Sequence, residues 1–113
     1  MEDNKQIVKD FFDAFLHNDK SKLKLADDFI HESPMGRYES AEEFLTHCWH
    51  LASQTNEYIN FELIGEGDIV CAKYDFPARE DEVPSSVMEW HRVKDGKIKE
   101  VKVVFDTAAF AGE

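Results

Sequence analysis

Apolar side chains in the first half of the chain recur at helical spacing. The first predicted helix has one buried face, formed by residues at i, i+1, i+4, i+5 and i+8: Ile7, Val8, Phe11, Phe12 and Phe15. A short second helix is predicted around Leu23 and Ala26. A third begins at Ser40, which has the capping-box spacing to Glu43, and its inner face is formed by five residues: Ala41, Phe44, Leu45, Cys48 and Ala52. The pattern therefore predicts three N-terminal helices.

The second half of the chain has the alternating pattern of β-strands. Four strands are predicted at 58–64, 69–76, 87–93 and 98–105. The last two are separated by Asp95-Gly96, the strongest hairpin signal in the chain. A brief extended segment is also predicted at 29–31, shortly before Pro34. Helices followed by sequential strands predict an α+β fold, in which the helices pack on one face of an antiparallel sheet as a single domain over residues 1–113.

Composition and charge narrow the classes of function. The 113 residues include 24 acidic and 13 basic side chains, for a net charge of −11, and 42% are hydrophobic. This predicts a folded, soluble domain, and the negative charge disfavours nucleic acid and anionic membranes as partners. No apolar run reaches membrane-span length, and the first residues lack the pattern of a secretory signal. Cys48 and Cys71 stand apart and are expected to be buried free thiols, so we expect a cytoplasmic protein.

A family resemblance is carried by two segments: ADDFIHESPMGRY at 26–38, and VKDGKI at 93–98 running on to VFD at 104–106. They resemble the nuclear transport factor 2-like superfamily, in particular its SnoaL-like branch, with ketosteroid isomerase as the best-understood enzymatic relative. The resemblance implies a cone-shaped α+β barrel, in which a strongly curved sheet wraps around helices and an apolar pocket opens at the wide end. It also implies a homodimer through the outer face of the sheet.

The catalytic residues of ketosteroid isomerase are only partly retained. The resemblance aligns its general-base aspartate with Ser33 and its oxyanion-hole tyrosine with Phe11, and neither side chain can perform that chemistry. Glu32 is adjacent to the base position, but a step of one residue along an extended segment points to the other face. The third catalytic role falls near Glu89. Ketosteroid isomerisation itself is therefore not expected.

The face on which Glu89 lies depends on the register of the 93–98 hairpin. With a two-residue turn, the pocket face would carry only apolar residues: Met88, Trp90, Val101, Val103 and Phe105. With a type I turn and a bulge at Gly96, the pairing shifts by one, so that Glu89 faces the pocket opposite Val101, and His91 faces it opposite Lys99. We favour the bulged turn, because only Gly96 then needs a positive φ and because the family comparison places an acid on the pocket face.

In the bulged register Glu89 and His91 form an acid–base pair that points into an apolar cavity. Desolvation is expected to raise the pKa of the carboxyl group and to lower that of the imidazole. Such a pair could exchange protons in isomerisation, dehydration or ring closure. The structural alternatives are a hydrogen-bonded pair in the core, or an ion pair between Glu89 and Lys102.

The sequence therefore predicts a domain that binds a small, largely apolar molecule and performs acid–base chemistry on it without cofactor or metal. Glu89 and His91 are the predicted catalytic residues. The ligand is expected to contact Phe11, Phe15, Tyr58, Tyr74, Val101, Val103, Phe105 and Asp106. The alternative is a non-catalytic homodimeric module that binds a partner or sequesters a ligand. This alternative is favoured by the missing base at Ser33 and the missing hydrogen-bond donor at Phe11.

Overall fold

The computed structural model of the protein describes residues 3–34, 36–52, 58–76 and 85–105. Within these ranges the chain forms two α-helices, one short 3₁₀ helix and six β-strands. The helices are α1 (Asn4–Leu16) and α2 (Ala41–Ala52). The strands are β1 (Leu25–Ser33), β2 (Gly36–Tyr38), β3 (Ile59–Glu66), β4 (Ile69–Phe76), β5 (Ser85–Lys94) and β6 (Lys97–Phe105).

Both α-helices begin at a side-chain cap. The Asp3 carboxylate accepts a hydrogen bond from the backbone N–H of Lys5 at 3.2 Å, and the Ser40 hydroxyl accepts one from the N–H of Glu43 at 3.0 Å. The predicted apolar face of α1 is buried in full: Ile7, Val8, Phe11, Phe12 and Phe15. In α2 the predicted inner face is buried or partly buried at Ala41, Phe44, Leu45 and Cys48, and the Ala52 side chain lies outside the described part.

The second predicted helix is wrong. Residues 20–22 form only a 3₁₀ turn, at which the Asp19 carboxylate accepts a hydrogen bond from the N–H of Ser21 at 3.0 Å. Leu23 follows that turn, and Ala26 already belongs to β1. Strand β1 gains backbone hydrogen bonds along its neighbours in the sheet, whereas an isolated helix of this length is marginal in water. Among the described residues there are therefore two α-helices, not three.

The six strands form one mixed sheet in the order β2-β1-β6-β5-β4-β3. The predicted antiparallel meander from β3 to β6 is confirmed. Strand β1 extends this meander, because it runs parallel to β6 on one side and antiparallel to β2 on the other. The sheet is curved and stays open, so the predicted barrel is a wrapped sheet rather than a closed one.

The hairpin between β5 and β6 has a two-residue turn. Asp95 and Gly96 have φ angles of 54° and 77°, so both are in the left-handed region, which Gly adopts freely and Asp tolerates. Val93 consequently pairs with Ile98. The predicted bulge at Gly96 is therefore wrong.

A bulge nevertheless occurs nearby, at Lys99 on β6. Arg92 pairs with Glu100, so Lys99 has no opposite partner on β5. This extra residue changes the alternation of β6, and Ile98 and Val101 both become fully buried although they are three positions apart. The bulge, rather than the turn, therefore decides which side chains of the hairpin face inwards.

The inner face of the sheet and the two helices enclose the core. Aromatic rings pack densely there: the Phe11 ring centroid lies 5.4 Å from that of Phe12 and 6.3 Å from that of Phe44. Among the described residues, the outer face leaves four large apolar side chains exposed: Ile64, Met88, Trp90 and Val104. The two cysteines, Cys48 and Cys71, are free thiols and are half-buried rather than buried. None of the described helices is long and apolar enough to cross a bilayer.

Candidate active site

Strand β5 turns Glu89 and His91 into the core. They share a face with Val87 and Val93, because alternate residues of a strand point to the same side. Glu89 is 7% exposed and His91 is 0% exposed. The inward orientation favoured from the sequence is thus confirmed, although the pairing differs from the predicted one. Glu89 lies opposite Val103, and His91 lies opposite residue 101.

Both carboxylate oxygens of Glu89 have hydrogen-bond partners. The Tyr74 hydroxyl donates to Oε2 at 2.5 Å, and Nε2 of His91 lies 3.0 Å from Oε1. When the carboxylate is ionised it accepts at both oxygens, so the His91 imidazole then carries its hydrogen on Nε2. Each oxygen keeps a further acceptor direction that a substrate proton could use. The predicted alternative partner, Lys102, lies instead 3.9 Å from Glu32.

Two tyrosines beside Glu89 are held in the protonated state. Burial raises the pKa of Tyr74 and of Tyr58, and the negative charge of Glu89 raises both further. Their ring centroids are 4.8 Å apart. Both hydroxyls are therefore hydrogen-bond donors throughout the physiological pH range.

A second histidine, His31 on β1, belongs to the same row of the sheet as His91. The two residues lie opposite Val101, one on each side of β6. Burial lowers the pKa of the His31 imidazole, and the negative charge of Glu89 opposes this shift. Sequence reasoning did not find His31, because the parallel pairing that brings it to the site is non-local. The available signal was the alternation of Phe29 and His31 within the extended segment.

The predicted ligand contacts lie in or against the core, with one exception. Phe11 covers the buried imidazole of His91, with ring centroids 5.2 Å apart. The others are buried or partly buried in the same cluster: Phe15, Tyr58, Tyr74, Val101, Val103 and Phe105. Asp106 lies outside the described residues. An apolar pocket at the wide end of the cone stays a prediction.

Ser33 and Phe11 offer neither a base nor an acidic donor. The core nevertheless contains a carboxylate on β5, that of Glu89, and a hydroxyl on β4, that of Tyr74, which donates to it. Such a set can take up, hold and return a proton. In the described part of the chain, no three His, Cys, Asp or Glu side chains are grouped as metal ligands.

Comparison with known proteins identifies a domain family. The family model described as the SnoaL-like domain matches residues 8–101, a range that includes both β5 and most of β6. Among curated proteins, none matches the sequence.

Solved structures with similar folds cover almost the whole chain. An NTF2-like protein of unknown function from Cytophaga hutchinsonii is 19% identical, with 97% of this chain and 96% of that chain covered and a TM-score of 0.78. A protein from Sinorhizobium meliloti, assigned to the polyketide cyclases, is 24% identical, with 87% and 93% covered and a TM-score of 0.68. TerC, co-crystallised with polyporic acid, is 17% identical, with 95% and 94% covered and a TM-score of 0.75. At these identities the likeness establishes the fold.

Proposed function

Because the chain belongs to the SnoaL-like domain family, we propose that it binds a small, largely apolar molecule and catalyses cofactor-independent acid–base chemistry of the isomerase, cyclase or dehydratase type. The observation that carries the proposal is the buried Glu89 carboxylate, held between Tyr74 and His91 on the inner face of the sheet. A carboxyl group in an apolar site is a typical general acid–base catalyst. The Sinorhizobium meliloti protein supports ring closure as one form of this chemistry on the same fold.

In this proposal Glu89 removes a proton from a carbon next to a carbonyl group. The C–H bond breaks, its electron pair forms a carbon–carbon double bond, and the carbonyl oxygen becomes an enolate oxygen. Tyr58 donates a hydrogen bond to that oxygen, since its hydroxyl stays protonated beside Glu89. Return of the proton from Glu89 to a different carbon atom completes an isomerisation. In ring closure, the enolate carbon attacks a second carbonyl carbon, the π bond of that carbonyl breaks, and the resulting alkoxide takes the proton that Glu89 holds. His91 is fully buried and acts as a positioning residue for Glu89.

Deuterium exchange tests the role of Glu89. Small apolar ketones, with 2-tetralone as the first member of the panel, are incubated with the protein in D₂O, and loss of the proton next to the carbonyl is followed by NMR. We expect Glu89→Gln to lower the catalysed rate by about 100-fold or more, because the amide keeps the shape but cannot accept the proton. Glu42→Gln is the matched control, because Glu42 is an exposed residue in the first turn of α2. Catalysis that survives in Glu89→Gln, or no acceleration by the wild-type protein across the panel, contradicts the proposal.

We also propose that two copies of the chain associate through the outer face of the sheet, either as the active homodimer or as a non-catalytic, ligand-sequestering module. The exposed apolar side chains are contiguous: Ile64 pairs with Cys71, and Cys71 with Trp90, while Met88 pairs with Val104 in the next row. Trp90 is 46% exposed and Met88 is 57% exposed. A contiguous apolar patch of this kind is typical of an interface.

A second copy suits this face because it carries both signs of charge. Lys73 lies between Glu62 and Met88 across the strands, and Lys102 lies beside Trp90. Two copies can therefore meet through apolar residues with opposite charges at the margin.

Sedimentation velocity at micromolar concentration measures this association. We expect a dimer for the wild-type protein and a monomer for Trp90→Glu, because the new carboxylate would be buried at the interface. Lys9→Gln, on the exposed side of α1, changes the net charge by the same amount and should stay dimeric. A wild-type monomer, or a Trp90→Glu dimer, contradicts the proposal.

A further inference from the structure

A second imidazole stands in the site without a role in the proposed mechanism. His31 reaches the core from β1 and shares a row of the sheet with His91, on either side of Val101. The Nδ1 atoms of both histidines are buried and have no hydrogen-bond partner within the described residues. Buried polar atoms in folded proteins nearly always have a partner, so an unpaired one indicates a place for a water molecule or a ligand group.

The His31 ring is fixed by aromatic neighbours. Its centroid lies 4.6 Å from that of Phe44, and 6.3 Å from those of Phe29 and Tyr38. These neighbours present aromatic rings to His31, so its ring nitrogens lie in largely apolar surroundings. A molecule that fits here would be apolar over most of its surface and polar at one position.

The kind of polar group follows from the hydrogen-bonding capacity of the nitrogens. Nε2 of His91 is turned towards Glu89, so in a neutral His91 that donates to an ionised carboxylate the Nδ1 atom carries a lone pair. The tautomer of His31 is not fixed by a partner at Nδ1, which accepts a hydrogen bond in one tautomer and donates in the other. A hydroxyl group both donates and accepts, so it satisfies Nδ1 of His31 in either form.

We propose that His31 binds a hydroxyl group of the substrate through Nδ1 and thereby sets which small apolar molecules the site accepts. The substrate class is then a phenol, enol or alcohol on an apolar skeleton. A molecule of the same shape without the hydroxyl leaves Nδ1 unpaired and binds more weakly. The inference rests on the proposed function for the position of the site, but it concerns binding and does not require turnover.

Equilibrium binding of two probes of similar shape, 2-naphthol and 2-methylnaphthalene, tests the inference. We expect the wild-type protein to bind 2-naphthol about tenfold more tightly, as one hydrogen bond to a buried partner provides. His31→Phe keeps the ring packing against Phe44 and should lose this preference. His31→Asn, whose amide group occupies the position of Nδ1, should retain it in part, whereas His31→Gln, which reaches the position of Nε2, should not. His47→Phe, an exposed residue of α2, is the control and should behave as the wild-type protein.

Long-range ¹H–¹⁵N spectra of the wild-type imidazoles provide a second readout that a purely structural role would not change. We expect the Nδ1 resonance of His31 to shift on addition of 2-naphthol and to stay in place on addition of 2-methylnaphthalene. Equal or undetectable binding of the two probes by the wild-type protein, an unchanged preference in His31→Phe, or an unmoved Nδ1 resonance would overturn the inference. Failure of the Glu89→Gln exchange test would leave these binding results unaffected, so the two proposals fail separately.

Discussion

Each carboxylate oxygen of Glu89 has its own hydrogen-bond partner in the core. Tyr74→Phe leaves Oε2 without the hydroxyl that donates to it inside the core. We expect a loss of about 1–3 kcal/mol in the free energy of unfolding, the usual penalty for an unpaired buried acceptor. Urea denaturation measures this loss. Tyr58→Phe is the control and should cost less, since no described residue is hydrogen-bonded to its hydroxyl; equal losses would show that Oε2 gains nothing from Tyr74.

The lowered pKa of His31 makes stability depend on pH. Burial holds the pKa of the His31 imidazole in the folded protein below the ordinary 6.5. Between the folded-state pKa and 6.5, the unfolded chain therefore binds more protons than the folded one. The free energy of unfolding should therefore fall as the pH drops from 7.5 to 5.5, and it should fall less in His31→Phe. Denaturation curves at both pH values check this. Equal losses in the two proteins would refute the assignment of the effect to His31, whose titration is also influenced by Glu89 and His91.

Carboxylates outside the site should not change the free energy of unfolding between pH 5.5 and 7.5. Hydrogen bonds from Lys99 hold the pKa of Asp28 below its usual 3.8, and those from Asn60 and Ser86 do the same for Asp75. A carboxyl group with a lowered pKa contributes stability that is present above the unfolded value and is lost only as the pH falls below it. Their effect therefore begins near pH 4, below the range in which His31 acts.

At the scale of the element, hydrophobic spacing predicted most of the hairpin but not its irregularity. On β5 the alternation is regular and places Glu89 with Val87 and Val93 on the buried face. On β6 the buried residues Ile98 and Val101 are three positions apart, and a regular strand cannot bury two residues at an odd offset on the same face. This spacing is the sequence signature of the bulge. A prediction of the register from turn chemistry alone could not locate the bulge.

Deletion of the bulge residue tests its role in the register. Without Lys99, Glu100 follows Ile98 directly, so Ile98 and Val101 are two positions apart and a regular ladder keeps both of them buried. We therefore expect the deletion to cost no more than Lys99→Ala, which keeps the bulge and removes only an exposed contact to Asp28. Urea denaturation compares the two variants. A further loss of about 1.5–3 kcal/mol in the deletion, the cost of exposing one fully buried side chain, would show that the bulge does more than correct the spacing of Ile98 and Val101.

Strand β1 could be predicted only in part from its own residues, as the extended segment at 29–31. Its burial pattern lacks regular alternation, with the exposed Asp27 and Asp28 side by side between the buried Ala26 and Phe29. Its pairing with β6 also shifts register between Leu25 and residue 30. What makes this segment a strand is a parallel partner about 70 residues away, and local propensity contains no information about that partner. The omission of His31 from the predicted site follows from the same cause.

For the whole molecule, charge and apolar surface act against each other. Each chain carries a net charge of −11, yet the outer face of the sheet exposes Trp90 and Met88. Two copies that meet there repel one another over long distances while their apolar residues attract at contact. The balance between these forces depends on ionic strength, because salt screens the repulsion and leaves apolar burial in place.

The proposed dimer should therefore strengthen as salt is added. The Debye length falls from about 30 Å at 0.01 M to about 10 Å at 0.1 M ionic strength, so most of the repulsion between the two chains is screened over this range. Sedimentation equilibrium at these two ionic strengths should give a lower dissociation constant for the wild-type dimer at the higher one. Trp90→Glu should remain monomeric at both, because it removes the apolar contact that salt does not replace. An association that instead weakens with salt would mean that ion pairs, and not the exposed apolar rows of the sheet, hold the two copies together.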